Sequence, residues 1–309
     1  AVTGIILLTT WGGTEYPWLS GQIIGTGVAS VALLVIFVFV ERRAAEPLMP
    51  LELFTNRVFD VSSAVGFIVG FAMFGAIIYL PLYLQTVHGA SPTTSGLQML
   101  PVVAGMLVTF IASGQLVSRL GRYKVFPIAG TAVMAVGFYL LSLMTPSTTL
   151  LVTSLDMFVT GLGVGMVMQV LVVAVQNAVP YEFLGTATSA ATFFRSIGGS
   201  FGVALFGAIF NSRLFSELPH YLPSSALHAI RGHNISSNPA QLNALPPPVH
   251  HGFVEAFSHS LGTVFLVGAP CCVAAFALSW LLREVPLRET AFVTAEAPVA
   301  AAGGQTADI

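Results

Sequence analysis

Long stretches without any charged residue constrain this chain more strongly than any other feature of its sequence. A helix that crosses a bilayer needs about 20 consecutive, mostly apolar residues. The charge-free stretches are all long enough for a crossing, and they cover 16–40, 61–118, 125–155, 157–181 and 256–282. A further segment, 185–211, is interrupted only by Arg195. The sequence therefore predicts a protein that crosses a membrane several times.

The composition excludes a water-soluble domain. Only 8% of the 309 residues are charged and 55% are hydrophobic, whereas a soluble globular chain carries about 25% charged residues. The formal charge of −2 provides no basic surface, so we expect no nucleic-acid partner. Cys271 and Cys272 are adjacent within an apolar run, a position typical of packing atoms and not of a disulfide framework.

The apolar stretches predict an all-α integral membrane protein. They are continuous, unlike the alternating segments of about 10 residues in a membrane β-barrel. The longest stretch breaks at 88–92, where glycine and proline favour a turn. The predicted spans are 19–40, 59–86, 94–118, 124–144, 149–178, 185–211 and 255–283.

Four regions follow from these spans. Residues 1–40 contain the end of one transmembrane helix and a full linker helix, and residues 41–58 form a cytoplasmic loop. Residues 59–283 form a six-helix transmembrane bundle with an external loop at 212–254, and residues 284–309 form a cytoplasmic disordered tail. The chain begins without Met, inside an apolar stretch and without the basic segment of a signal peptide. We therefore expect a fragment whose N-terminal half is missing.

The basic residues predict the orientation in the lipid bilayer. Cytoplasmic loops are enriched in Lys and Arg, and alternate crossings place most basic residues on one side. The opposite side receives only Arg213 and Arg231. We expect a multi-pass protein of a cell membrane, the inner membrane of a bacterium, with a cytoplasmic C terminus. The residues on the cytoplasmic side are Arg42, Arg43, Arg57, Arg119, Arg122, Lys124, Arg283 and Arg288.

The expected external loop, 212–254, is rich in proline and histidine. Dense prolines disfavour regular structure. A metal site is one interpretation of the histidines, and an exposed loop is the other. Because the histidine spacing matches no compact ligand motif, the sequence predicts the loop and no metal site. The histidines are His220, His228, His233, His250 and His251.

The turn that follows the span 94–118 carries a compact motif. It reads Gly-Gln-Leu-Val-Ser-Arg-Leu-Gly-Arg from Gly114 to Arg122. We expect the first glycine to let the helix end approach a neighbour and Gly121 to make the tight turn, while the cations meet helix ends and lipid head groups. Simple anchoring by positive charge is the alternative.

This segment resembles the cytoplasmic loop signature of the major facilitator superfamily, Gly-x-Leu-x-Asp-Arg-x-Gly-Arg. Ser118 stands in place of the aspartate, which leaves the charge relay attributed to that acid without its carboxylate. The positions that match the signature are Gly114, Arg119, Gly121 and Arg122.

Four further segments resemble the fourteen-helix drug:proton antiporters of the same superfamily, the multidrug efflux type. The resemblance implies a C-terminal six-helix bundle preceded by linker transmembrane helices. It also implies export of hydrophobic or cationic small molecules, driven by proton influx through alternating access. A non-transporting receptor or assembly subunit with the same fold is the alternative. The segments are Glu46–Phe54, Leu80–Pro92, Gln176–Pro180 and Phe193–Gly199.

Arg195 is the basic residue expected near the middle of the membrane. It lies about ten residues into its span, about 15 Å deep at 1.5 Å per residue. An intramembrane charge needs a protein interior, a cavity or a partner, and marks a functional site by default. Arg195 is therefore a candidate for a role in the transport cycle, with a lock between two helices and substrate contact as alternatives.

Three other titratable residues are candidates for proton coupling. Asp156 lies about two turns into its span. A carboxylate there either exchanges protons or lies at a water-filled opening of the bundle. Glu255 and His259 are four residues apart, so they share one face at the outer end of the last span.

Polar and small residues complete the set of candidates. Uncharged polar side chains are expected to line a cavity or to join neighbouring helices. Glycines four residues apart allow helices to approach closely, and we expect this for Gly66 with Gly70, Gly161 with Gly165, and Gly198 with Gly202. The polar candidates are Gln98, Gln169, Gln176, Asn177 and Thr192.

The sequence contains no catalytic constellation. It lacks the Gly-x-x-x-x-Gly-Lys, Gly-x-Ser-x-Gly, His-Glu-x-x-His and Cys-x-x-Cys motifs. We expect no enzyme, no cofactor and no ATP-driven pump, which leaves an ion gradient as the source of energy.

Overall fold

The computed structural model describes residues 2–11, 16, 19–43, 50–223 and 246–286. Seven helical segments in these ranges are long and apolar enough to cross a membrane, as the sequence predicts. Two short 3-10 turns, Leu51–Thr55 and Tyr181–Phe183, precede long helices. The helices are α1 (Val2–Trp11), α2 (Gly21–Glu41), α3 (Arg57–Thr86), α4 (Pro92–Gln98), α5 (Leu100–Leu120), α6 (Val125–Ser142), α7 (Leu150–Ala178), α8 (Leu184–Tyr221) and α9 (Pro247–Trp280).

The loop expected at 212–254 is shorter than the sequence indicated. Residues 212–221 continue α8, and 247–254 form the start of α9. Leu214 and Leu218 keep the extension of α8 in the core, so packing overrides the fall in hydrophobicity on which the prediction rested. The prolines at 247 and 248 occupy the first turn of α9, where a missing N–H costs nothing. His228 and His233 lie outside the described residues.

Two interfaces of similar extent organise the six-helix bundle, one between α3 and α8 and the other between α5 and α7. The α6 helix packs between α7 and α9, and α9 also contacts α8 and α3. The α1 helix contacts both α2 and α8. The core is rich in edge-to-face aromatic pairs, such as Phe71 with Phe206 at 4.9 Å and Phe210 with Phe257 at 5.1 Å between ring centres.

Glycines make both large interfaces close. A Cβ atom at Gly198 or Gly202 of α8 would overlap the backbone carbonyl oxygen of Phe67 or Phe71 on α3. In the same way, Gly161 and Gly165 of α7 face backbone carbonyls of α5. These two glycine pairs confirm the sequence prediction. Gly66 differs, because a Cβ there would meet nothing closer than a Leu171 methyl carbon at 3.8 Å.

A side-chain amide and a phenol join distant parts of the chain at one end of the bundle. We call it the basic end because it carries Arg57, Arg119, Arg122, Lys124 and Arg283. The Tyr123 hydroxyl donates to the Arg283 carbonyl at 2.7 Å and accepts from the Val285 N–H at 3.0 Å. Asn177 donates to the carbonyls of Val285 and Pro286. We call these contacts of Tyr123 and Asn177 with residues 283–286 the tail clasp.

Candidate functional site: a half-buried arginine beside a small cavity

A small cavity of about 20 Å³ lies between α3, α7 and α8. That is room for about one water molecule. The half-buried Arg195 and the neighbouring Thr192 border it from α8. Ser62 and Gly66 border it from α3, so the absence of a side chain at Gly66 leaves open space beside the guanidinium. The remaining wall is apolar and comes mainly from α7, through Met168, Leu171 and Val172.

Arg195 is fixed by the packing of its own backbone. Gly70 of α3 lies against the Arg195 carbonyl oxygen, so the two helices are in contact at this level. Arg195 is about 16 Å from the start of α8 at 1.5 Å per residue. Among the described residues its guanidinium has no ion-pair or hydrogen-bond partner. The Arg195 guanidinium at the cavity therefore has N–H donors that no described residue uses.

Ser62 is the residue at this site that the sequence analysis missed. It is buried, and its hydroxyl oxygen has no hydrogen-bond partner among the described residues. A buried hydroxyl without a partner costs free energy. Together with the guanidinium, it can hold one water molecule or one acceptor oxygen. No local motif marks Ser62, because it reaches Arg195 only through the α3–α8 interface.

Asp156 lies in a different part of the bundle. It is buried on α7, 12 residues from Met168, which corresponds to about 18 Å along the helix axis. Its carboxylate makes no hydrogen bond or ion pair within the described part of the chain, although it interacts electrostatically with Tyr83. The structure therefore does not bring Asp156 and Arg195 together.

The other polar candidates are dispersed. Gln176 donates to the Thr188 hydroxyl at 3.2 Å and joins α7 to α8, whereas the Asn177 amide belongs to the tail clasp. The side-chain oxygen of Gln98 is buried without a partner among the described residues. Gln169 is half-buried next to Met168 and makes no side-chain hydrogen bond within the described ranges.

Glu255 and His259 do lie together. Both border a second cavity, of about 330 Å³, at the end of the bundle opposite the basic end. The His259 ring stacks on Tyr221 with 5.9 Å between ring centres. Burial lowers the pKa of His88, which follows α3 near this end, so its imidazole is neutral at pH 7.

The loop motif has one structural glycine. Gly121 has a φ of 66° and ends α5 by donating its N–H to the Val117 carbonyl, as the sequence predicts. The close approach expected at Gly114 is absent, because no atom lies within 4 Å of a Cβ placed there. Arg119 and Arg122 are exposed at the basic end.

Tyr123 and Asn56 are two further residues that the sequence analysis missed. Asn56 caps α3 by accepting from the Val58 N–H, and its amide donates to the Ala178 carbonyl at 2.7 Å. An Asn just before an apolar run is a helix-start signal that could have found it. The partners of Tyr123 are about 160 residues away in sequence, and no local pattern encodes such a contact.

The described residues contain no group of three or more histidine, cysteine or acidic side chains that could hold a metal ion. Cys271 and Cys272 are both free. The candidate site therefore consists of Arg195, Ser62 and Thr192 around a water-sized cavity. Its chemistry is electrostatic and hydrogen-bonding.

Comparison with known proteins defines the class. The family model of the Major Facilitator Superfamily matches residues 1–203. An uncharacterised MFS-type transporter of Mycobacterium tuberculosis is 46% identical over 94% of this chain and 42% of its own length. The multidrug transporter protein MdtP of Bacillus subtilis is 40% identical over 82% of this chain and 47% of its own length. The chain thus spans less than half of either relative.

A solved structure shows the same fold. It is a bacterial homologue of the human lysosomal transporter Spinster in an inward-facing, occupied conformation, with a TM-score of 0.60 and 15% sequence identity. The alignment covers 91% of this chain and 62% of that one. The fold and the family match define the class, which is a family of membrane transporters and not of enzymes. The chain belongs to the Major Facilitator Superfamily.

Proposed function

We propose that this chain forms the C-terminal portion of a fourteen-helix exporter, which moves hydrophobic or cationic drugs outward in exchange for protons. The names of two relatives support export of this kind, namely the multidrug transporter MdtP and the efflux pump FUS6 of Gibberella fujikuroi. In this proposal α1 and α2 are linker helices, and α3 to α9 form one wall of a central substrate pathway.

The observation that carries the proposal is Arg195 beside its cavity. A half-buried guanidinium without a partner in the described residues favours an oxygen ligand. We propose that water or an acceptor oxygen occupies the cavity in one conformation of the transporter, and that a carboxylate or carbonyl from elsewhere in the protein pairs with Arg195 in another. Exchange between these partners would couple Arg195 to the transport cycle.

Proton coupling is assigned to a carboxylate in this proposal. Asp156 is the first candidate within the chain, because its carboxylate is buried without a hydrogen-bond partner among the described residues. Glu255 and His259, at the edge of the larger cavity, are the second. Protons, the bilayer, the N-terminal half and the drug are the partners that the proposal requires.

Efflux of ethidium from cells that express the intact protein tests the role of Arg195. We expect Arg195→Ala to lower the efflux rate by about tenfold or more, as for the loss of hydrogen bonds to a charged group. Arg213→Ala is the matched control, since Arg213 is exposed on the same helix, and it should leave efflux unchanged.

Thermal unfolding of the same variants separates the interpretations of Arg195. A normal melting temperature with lost efflux supports a role in the transport cycle, and a lowered melting temperature supports a lock between helices. Unchanged efflux in Arg195→Ala contradicts the proposal. Dissipating the pH gradient should abolish efflux, and a receptor or assembly subunit with this fold would show no gradient-dependent efflux at all.

A further inference from the structure

The cavity of about 330 Å³ opposite the basic end is a groove along the seam between α6 and α9. It is lined by the end of α6, by the turn that follows α6, and by α9 from Glu255 to Leu266. None of its lining residues borders the cavity at Arg195. Its volume lies within the range of about 300–1,000 Å³ that is typical of small-molecule pockets. We call it the α6–α9 groove.

Small side chains of α9 create the α6–α9 groove. At Gly262 the two helices are close, because a Cβ there would lie 2.8 Å from the Ser142 carbonyl oxygen. Ser258, one turn away on α9, is too short to fill the space between the helices. The groove is therefore a consequence of helix packing and does not depend on a particular loop conformation.

The charge of the groove favours a cation. Glu255 is its carboxylate, and no Lys or Arg is among the residues that line it in the described part of the chain. The carboxylate makes no ion pair or hydrogen bond with any described residue. A carboxylate without such partners prefers a ligand with N–H donors and a positive charge.

The groove also contains a buried acceptor. The Ser258 hydroxyl oxygen is buried at the groove wall without a hydrogen-bond partner among the described residues. An orphaned buried hydroxyl is uncommon and calls for an unobserved ligand or water. Ser258 is three residues from Glu255, so the two side chains lie on the same side of α9 and can bind one ammonium group together.

The far end of the groove is apolar. Leu266 lies 11 residues beyond Glu255, about 16 Å along α9. Leu143 on the facing side and Leu266 are both more than half exposed, at 57% and 51%, so this end opens sideways on the surface of the bundle. A ligand that fits must combine a polar cationic head with a hydrocarbon tail.

We propose that the α6–α9 groove binds an amphiphile with a primary ammonium head, which pairs with Glu255 and Ser258 while its tail lies along Leu143 and Leu266. The ammonium has two possible sources, the headgroup of an aminophospholipid and a free long-chain amine. This site shares no lining residue with the cavity at Arg195, and amine binding to it does not depend on drug export.

Binding of dodecylammonium to the purified intact protein in detergent tests the proposal, with dodecanol as the uncharged analogue. We expect Glu255→Gln to weaken dodecylammonium binding by about tenfold, because a charge-assisted contact is lost. Dodecanol binding should be weaker than that of the amine and equal in both proteins. Glu217→Gln is the matched control. Glu217 is a carboxylate on α8 near the end of the bundle where the groove lies, and it does not line the groove.

A second variant and a competition experiment complete the test. Ser258→Ala should also weaken dodecylammonium binding, and an unchanged melting temperature shows that the fold is intact. Displacement of the amine by phosphatidylethanolamine, but not by phosphatidylglycerol, identifies the lipid headgroup as the source. If dodecylammonium binds and phosphatidylethanolamine does not displace it, a free long-chain amine is the source of the ammonium group. Equal affinity of the unmodified protein and Glu255→Gln for dodecylammonium overturns the proposal.

Discussion

The Tyr123 hydroxyl joins the turn between α5 and α6 to the segment that follows α9. It is fully buried, and its oxygen serves two backbone groups that follow α9. Burial raises the pKa of Tyr123, although the hydrogen bond from Val285 opposes this, and the nearby Glu284 raises it further. The neutral phenol is the form that the tail clasp needs, since only a neutral hydroxyl can donate to the Arg283 carbonyl.

Tyr123→Phe should destabilise the protein by about 1–2 kcal/mol near pH 8, because it removes two partly buried hydrogen bonds to backbone groups. The folded-state pKa lies above the ordinary value of 10.0. The stabilisation by Tyr123 is therefore complete below pH 10 and disappears as the pH rises through the folded-state value. Thermal unfolding of the two proteins in detergent at increasing pH measures this difference.

The control for this prediction is Tyr181→Phe, because Tyr181 is an exposed tyrosine at the same end of the bundle. It should leave the melting temperature unchanged at every pH. A constant difference between the unmodified protein and Tyr123→Phe from pH 8 to pH 11 would show that the pKa of Tyr123 is the same in the folded and unfolded protein, and would contradict the raised pKa.

Single residues differ in how far the sequence predicts them. Arg195 stands out because it interrupts an apolar segment, and the structure places it beside a cavity. Gly121 is predictable from the turn it must make. Ser62 and Tyr123 carry no such signal, because serine is common in membrane helices and a tyrosine in a turn is ordinary. Their partners are distant in sequence, so only the packed structure shows their roles.

At the scale of helices, the α3–α8 and α5–α7 interfaces are formed by the same kind of contact. In each, a pair of glycines four residues apart lies against backbone carbonyls of the neighbouring helix. Contacts of this type allow Cα–H groups to approach carbonyl oxygens, a recurring feature of close helix pairs. The sequence predicts the small residues, whereas the identity of the partner helix comes only from the structure.

Gly198→Ala should weaken the contact between α3 and α8. The added methyl group would overlap the Phe67 carbonyl oxygen, and backbone cannot move aside as a flexible side chain can. We expect a destabilisation of about 1–3 kcal/mol, as for overpacked interiors, visible as a lower melting temperature in detergent.

Gly66→Ala is the matched control for this change. Gly66 lies on α3, and the nearest atom to an added Cβ is a Leu171 side-chain carbon of α7 at ordinary contact distance. Its melting temperature should stay close to that of the unmodified protein. Equal destabilisation by the two variants would contradict the close approach at Gly198.

Helix ends were predicted less well than helix existence. The spans come from hydrophobicity, which is strong and continuous, and all of them are present. The extensions of α8 beyond residue 211 and of α9 before residue 255 are more polar, and they are helical because Leu214, Leu218 and Phe253 pack in the core. Long-range packing of this kind leaves no periodic signal long enough to fix a boundary.

At the scale of the whole molecule, charge distribution and exposure agree with a bilayer environment. The α2 helix exposes most of its apolar side chains, and the outer face of α5 does the same. Apolar areas of this extent do not face water in monomeric soluble proteins. The basic end gathers Arg and Lys from the start of α3, from the turn between α5 and α6 and from the segment after α9, which favours a cytoplasmic position for that end.

Cysteine labelling tests this orientation. Ser147→Cys places an exposed thiol opposite the basic end, and Tyr181→Cys places one at the basic end. A membrane-impermeant maleimide should label the first in intact cells and the second only after permeabilisation. The unmodified chain is the control for background from Cys271 and Cys272. Labelling of Tyr181→Cys in intact cells would reverse the predicted orientation.

The tail clasp has a practical consequence for protein engineering. The last helix ends at Trp280, but the carbonyls that Asn177 uses belong to Val285 and Pro286. A truncation at the helix end would remove the backbone groups that Tyr123 and Asn177 bind in the tail clasp. Shortened versions for crystallisation, and fluorescent tags fused to them, should therefore keep the chain through Pro286.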